Sequence, residues 1–167
     1  MAASALFDLF HDTLRDIYWA EKHLLKALPK LAKNATSDEL ARALQGHRAE
    51  TQGQVERLDR VFELIGKTPR GKKCEAMVGL SEEADHVLKE VDDDMVRDAG
   101  IIGAAQAVEH YEIARYGTLA AWANQLGEKE AARLLAETLE EEKAADEKLN
   151  RLAESINPEA EASREAA

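Results

Sequence analysis

The sequence predicts an all-α protein, a bundle of four long helices arranged as two antiparallel hairpins with a long crossover between them. Three observations predict it. Of the 167 residues, 45% are hydrophobic and 33% charged, with 3 prolines and 5% aromatics, and hardly any segment alternates apolar with polar residues as a half-buried strand does. Apolar residues instead recur three and four apart over four long stretches. The joints between the first two stretches and between the last two are so short that their helices must be antiparallel neighbours.

The first helix is expected from about Ser4 to Lys33, where Phe7, Phe10, Leu14, Ile17, Glu21, Leu24, Leu28 and Leu31 form one seam. Pro29 removes a backbone donor and should bend or loosen its last turn. After a corner at Asn34 and Ala35, Thr36 and Glu39 read as a capping box opening the second helix, whose seam carries Leu40, Leu44, His47, Gln54, Leu58, Val61 and Ile65. Gly66 closes it. Residues 67–71 (KTPRG) begin the crossover. There Cys74, Met77, Leu80, Ala84, Val87, Leu88 and Val91 keep a helical spacing, with a break expected at Gly79 and a cap at Ser81, giving one or two shorter helices. The acidic run Asp92 to Asp94 reads as solvated.

The third long helix should run from about Asp98 to Leu126, with Ile101, Ala105, Val108, Glu109, Glu112, Tyr116 and Leu119 on one face and Gly127 as its stop. The fourth, from Glu128 to about Ile156, carries Leu135, Thr138, Leu139, Glu142, Ala145, Leu149 and Leu152. Asn157 and Pro158 should end it, leaving residues 157–167 as a disordered tail after one domain of residues 1–156. Two antiparallel hairpins with a long crossover are the ferritin-like form of the four-helix bundle.

A net charge of −11 argues against nucleic-acid binding, which rests on Lys and Arg neutralising phosphates. No stretch approaches the roughly 20 apolar residues of a membrane span, and the amino terminus lacks a signal-peptide pattern. With a single cysteine, Cys74, no internal disulfide can form, in keeping with a reducing cytoplasm. Cys74 reads as a buried structural thiol.

Glutamates occupy positions on the seams where a leucine would be expected. Glu21, Glu50, Glu112 and Glu142 are each flanked by core residues near mid-helix, and the midpoints of antiparallel helices come level. A buried carboxylate costs several kcal/mol unless an opposite charge meets it, so a metal ion is the expected partner. Glu109, one turn before Glu112, is a fifth acid. His47 lies on the seam one turn before Glu50 and is either a ligand or a neighbour that holds one, and imidazole with carboxylates suits iron, manganese or zinc. Gln54 and Asp146 each follow a candidate ligand by one turn, Gln54 as a hydrogen-bonding neighbour and Asp146 as a terminal ligand or an exposed acid. Tyr18 and Tyr111 adjoin candidates as redox partners, hydrogen-bonding partners or core residues. His110 reads as a neighbour of the site or a surface group. His11, His23 and His86 read as surface residues, and Glu140 and Glu141 as solvated ones.

The segments DIYWAEKHLLKALPKLA, HRAETQGQVERL, KKCEAM, AAQAVEHYEIARYGTLA and LLAETLEEEKAADEKL, in this order, resemble the ferritin-like family of bacterial stress proteins typified by YciF. The resemblance covers about residues 5 to 153. It implies a bundle that forms a homodimer, a centre of two metal ions, and a role in stress response. It matches Glu21, Glu50, Glu109, Glu112 and Glu142 to site positions and includes His47. One departure stands out: ferritins and rubrerythrins carry a histidine three residues after the glutamate on the second and fourth helices, where this chain has Gly53 and Ala145.

The function expected from these readings is a catalase-like or peroxidase-like oxidoreductase acting on hydrogen peroxide, because two iron or manganese ions can exchange two electrons with a peroxide. Two other classes stay open. One is an iron-oxidising or iron-storing protein, and the other a non-enzymatic interaction protein with a vestigial site.

Overall fold

Five helices follow one another in a computed structural model that describes residues 5–165, with side chains described to residue 162. They are α1 (Leu6–Asn34), α2 (Asp38–Leu64), α3 (Glu75–Glu90), α4 (Asp94–Gln125) and α5 (Lys129–Glu165). The first-helix start expected at Ser4 lies outside the described residues. α1 and α2 form one hairpin and α4 and α5 the other, with α2 against α5 and α1 against α4 closing the bundle. The single crossover helix α3 lies outside, against α4 and α1. This is the ferritin-like four-helix bundle that the sequence predicts.

Helix limits follow the capping chemistry. α2 starts at Ser37, whose hydroxyl accepts the Leu40 N–H, and not at the expected Thr36 box. Thr36 is otherwise engaged, because its N–H and that of Ser37 donate to the two carboxylate oxygens of Asp98 at 2.9 and 2.7 Å. α4 accordingly begins before Asp98. Asp93, in the run read as solvated, is its N-cap and accepts the N–H groups of Met95 and Val96, so the acidic run has a structural task. The expected break at Gly79 does not occur, and α3 runs unbroken from its N-cap Cys74, whose sulfur accepts the Met77 N–H.

Gly66 and Gly127 end α2 and α4 as expected, at φ of +66° and +82°. Both take the left-handed region that a side chain resists, and the N–H of the next residue turns back to Phe62 and Ala123 respectively. The stop expected at Pro158 is not seen. α5 passes through Asn157 and Pro158 to Glu165, because alanine and glutamate are strong helix formers and the lost N–H bond falls in an exposed turn where water can meet the freed carbonyl.

The seams bury as expected. Phe10, Leu14, Ile17, Leu58, Ile101, Leu119 and Leu135 are at most 1% exposed and fill the bundle along its length. Residues 65–74 run back along α1, where Lys72 N–H donates to the Arg15 carbonyl and Arg15 Nε to the Arg70 carbonyl. His23, expected at the surface, ties α1 to α3 through the Ser81 hydroxyl at 3.0 Å while stacking on Trp19. Among the described residues, no helix is long and apolar enough to cross a membrane.

Candidate metal centre

Four helices each send an ionisable side chain into one level of the core. α2 brings His47, α4 brings Glu109 and Glu112, and α5 brings Glu142, and one ligand atom from each lies within 4.8 Å of all the others. Glu21 from α1 completes the group, fully buried and receiving a hydrogen bond from Tyr116 OH. Tyr116 stands one turn after Glu112 on the same face of α4, so the same stripe supplies a donor and the group that fixes another donor.

The carboxylates are short of partners. Among the described residues, the buried side-chain polar atoms without a hydrogen bond are Gln54 Oε1, beside this cluster, and seven within it: Glu21 Oε2, His47 Nε2, Glu109 Oε2, and both oxygens of Glu112 and Glu142. Native cores rarely leave such atoms unmet, and here they converge on one space. His47 Nε2 comes within 3.2 Å of Glu109 Oε1 and 3.9 Å of Glu142 Oε2, close enough for attraction without the alignment of a hydrogen bond.

Electrostatics follow from this crowding. Burial, and then the charge of Glu142, pushes the Glu21 carboxyl up to about 8 against the relief given by Tyr116. Burial likewise pushes Glu109 up to about 8, and Glu112 and Glu142 are raised well above the carboxylate range, by burial first. Burial alone would lower His47. Its contact with Glu50 and the charges of Glu142 and Glu21 outweigh that, and its pKa rises.

Glu50 is not brought into the donor cluster. Its side chain is 56% exposed, with Oε2 3.5 Å from His47 Nδ1. The buried stripe of α2 runs through His47, Thr51, Gln54 and Leu58, and Glu50 stands about 60° to one side of it at 100° per residue. Gln54 is fully buried beside the cluster, its amide nitrogen donating to Glu141. Asp146 and His110 pair with each other at 3.2 Å at the α4–α5 surface, where Gln106 also reaches Asp146. Tyr18 packs on Phe62 and turns its hydroxyl to Asp59. Tyr111 donates to Asp16 at 2.7 Å and meets Cys74 Sγ at 3.0 Å, so the thiol is buried in a small polar knot and burial pushes its pKa up.

Glu141, expected in solvent, is held by Arg57. The guanidinium meets both of its oxygens at 2.8 and 2.7 Å and also reaches Thr138 and Glu137. Arg57 follows Glu50 by two turns on α2, and Glu141 lies 84 residues further along the chain, so no local pattern signals the pair.

The residues fit a metal. Four buried carboxylates and an imidazole nitrogen, all with free lone pairs or an unmatched ring nitrogen, form the oxygen-and-nitrogen donor set that iron, manganese and zinc accept.

Residues 5–162 match a family described as a domain of unknown function, DUF892. Protein YciF of Escherichia coli (strain K12) is 50% identical over 163 residues, 96% of this chain and 98% of that one. The chain belongs to this YciF-like family. Solved structures agree in fold: the E. coli stress protein YciF superposes with a TM-score of 0.90 at 49% identity, covering 93% of this chain and 99% of that one. YcfI of Rhodopseudomonas palustris, called a structural protein, gives 0.88 at 51%, over 89% of this chain and 95% of its own. A protein of Xanthomonas campestris pv. campestris gives 0.74 at 27%, over 98% and 100%.

Proposed function

We propose that this protein is a cytoplasmic stress-response protein with two iron or manganese ions in its core, and that it consumes hydrogen peroxide in a catalase-like or peroxidase-like reaction. The observation that carries the reading is the convergence of orphaned donor atoms on one buried level. Charge counting supports two ions. Glu21, Glu109, Glu112 and Glu142 would carry four negative charges, which two divalent cations neutralise, whereas one would leave a net −2 in a medium that penalises it heavily. Bound there, such a pair supplies two-electron exchange with a peroxide.

The protein's own residues do the rest. Glu109, Glu112, Glu142, Glu21 and His47 Nε2 are the ligands in this reading. Glu50 accepts the Nδ1 proton of His47, which leaves Nε2 free to coordinate and makes Glu50 an orienting group. Tyr116 keeps its proton toward Glu21 Oε1 and so fixes which oxygen of Glu21 faces the centre. Ile17 and Leu24, one turn either side of Glu21, and Ala105, one turn before Glu109, are buried and surround these ligands with apolar side chains along their own helices. The stress role rests on likeness to the E. coli stress protein.

Oxygen release tests the reaction. Protein reconstituted with manganese or iron should evolve oxygen from hydrogen peroxide, and Glu112→Gln or Glu142→Gln should reduce the rate at least about 100-fold with loss of bound metal. Undiminished turnover in both variants would sink the proposal. In the same reading the chain is a homodimer. An outer helix laid over α1 and α4 suits a dimer better than the hollow shell of an iron store, and sizing in solution separates the two.

A further inference from the structure

A cavity of about 310 Å³ opens between α2 and α5 and ends at the metal-binding level. Its inner end is formed by His47 and Glu109, two of the cluster's donors. The aliphatic stretch of its wall is made by Ala43, Leu44, Ala144, Ala145 and Leu149. Four more charged groups line it: Glu141, held by Arg57 and Gln54, Glu50, held by His47, and the exposed Lys148 and Arg151, of which Arg151 pairs with Glu147.

Size decides what the cavity suits. At about 30 Å³ per water in the liquid, it has room for roughly ten molecules of that size. Hydrogen peroxide, with two heavy atoms, would leave most of it unused and would find no hydrogen-bonding partner along its aliphatic stretch. A ligand with a polar end and a compact apolar tail matches both ends, the polar end at His47 and Glu109 and the tail against Leu44, Ala145 and Leu149. Ala145 is central to this match, because its methyl group lines the cavity one turn after Glu142, where a larger side chain would fill it.

We infer that this cavity binds the organic part of small organic hydroperoxides, ROOH, with tails of up to about ten heavy atoms. The inference rests on the peroxide reading of the metal centre and extends it to a second substrate class. The reaction balances with hydrogen peroxide as the reductant: ROOH + H₂O₂ → ROH + O₂ + H₂O. The O–O bond of the hydroperoxide breaks and takes up two electrons and two protons. Hydrogen peroxide supplies both and leaves as oxygen.

The test uses cumene hydroperoxide and its unreactive product, cumyl alcohol. Cumyl alcohol titrated into the metal-free full-length chain, followed by ligand-observed NMR, should bind saturably, and Ala145→Phe should weaken it at least tenfold. Ala144→Leu is a second, milder obstruction, and metal content and thermal melting show that either variant is folded. In the metal-loaded protein, cumene hydroperoxide with hydrogen peroxide should yield cumyl alcohol. Absence of alcohol binding, or binding indifferent to both substitutions, overturns the inference while leaving oxygen release from hydrogen peroxide intact. Alcohol binding that both substitutions weaken, with neither peroxide turned over, overturns the peroxide reading of the centre and the hydroperoxide reaction with it.

Discussion

Asp98 and Glu112 lie on the same helix, both fully buried, and they have opposite fates. Asp98 places each of its oxygens on a backbone N–H of the α1–α2 corner. Glu112, four turns on, has a partner for neither oxygen. Burial therefore does not separate a structural acid from a functional one, whereas satisfaction does. The corner is complete within the chain, and the mid-bundle cluster leaves donor atoms that a metal ion could meet.

The largest effect expected from this difference is a response to metal at one place only. A ligand held at a thousand times its dissociation constant stabilises by about 4 kcal/mol, which for a chain of this size raises the melting temperature by roughly 8–16 °C. Manganese added to chelator-treated protein should give a shift of that order, and the same shift should appear in Asp98→Ala. A shift that vanishes in Asp98→Ala would mean that the two regions are not independent.

Substitution should give opposite signs at the two acids. Asp98→Ala leaves two N–H groups without their acceptors at a partly solvated corner and should cost about 2 kcal/mol. Glu112→Leu removes a carboxyl that burial penalises, so the metal-free protein should gain about 1–3 kcal/mol while losing metal binding. Chemical denaturation of both variants without metal decides it, and destabilisation by Glu112→Leu would break the contrast.

Acidity sharpens it further. Glu21 and Glu109, pushed up to about 8, keep protons in the folded metal-free chain that an ordinary carboxyl releases near 4.5. Between those values the unfolded chain binds fewer protons than the folded one, so stability falls as pH rises from about 4.5 to about 8 and then levels off. His47, also raised, acts in the same direction. Melting of the chelated protein across that range should show the fall, and Glu109→Gln should flatten it. A slope unchanged in Glu109→Gln would place its origin outside the cluster.

How these regions could be read from sequence differs in the same way. The helical seams were legible because a 3.6-residue period survives any partner, and Glu21, Glu109, Glu112, Glu142 and His47 stood out as polar breaks in it. Asp98 was not legible as a cap because its partners, Thr36 and Ser37, are about sixty residues away. The same distance effect hid the Arg57 clasp on Glu141 and led Thr36 to be read as a cap in its own right. Glu50 marks the limit of periodicity, since a residue at the edge of a buried stripe is assigned to the core or to solvent by the neighbouring helix and not by its own spacing.

Glu50 also gives the smallest and most discriminating prediction. More than half exposed, it should matter little to the fold, and its one contact with the centre is through His47 Nδ1. If it orients the imidazole, Glu50→Gln keeps an acceptor for the Nδ1 proton and should change metal affinity only a few-fold, whereas Glu50→Ala removes the acceptor and should weaken it about tenfold. If Glu50 were itself a ligand, both substitutions would remove a donor and both would lose metal to the extent that Glu142→Gln does. Competition with a chelator of known affinity measures all three variants on one scale. Equal losses in the Gln and Ala variants would move Glu50 from the group that positions the site to the group that forms it, and satisfaction of buried atoms alone would no longer identify every functional acid.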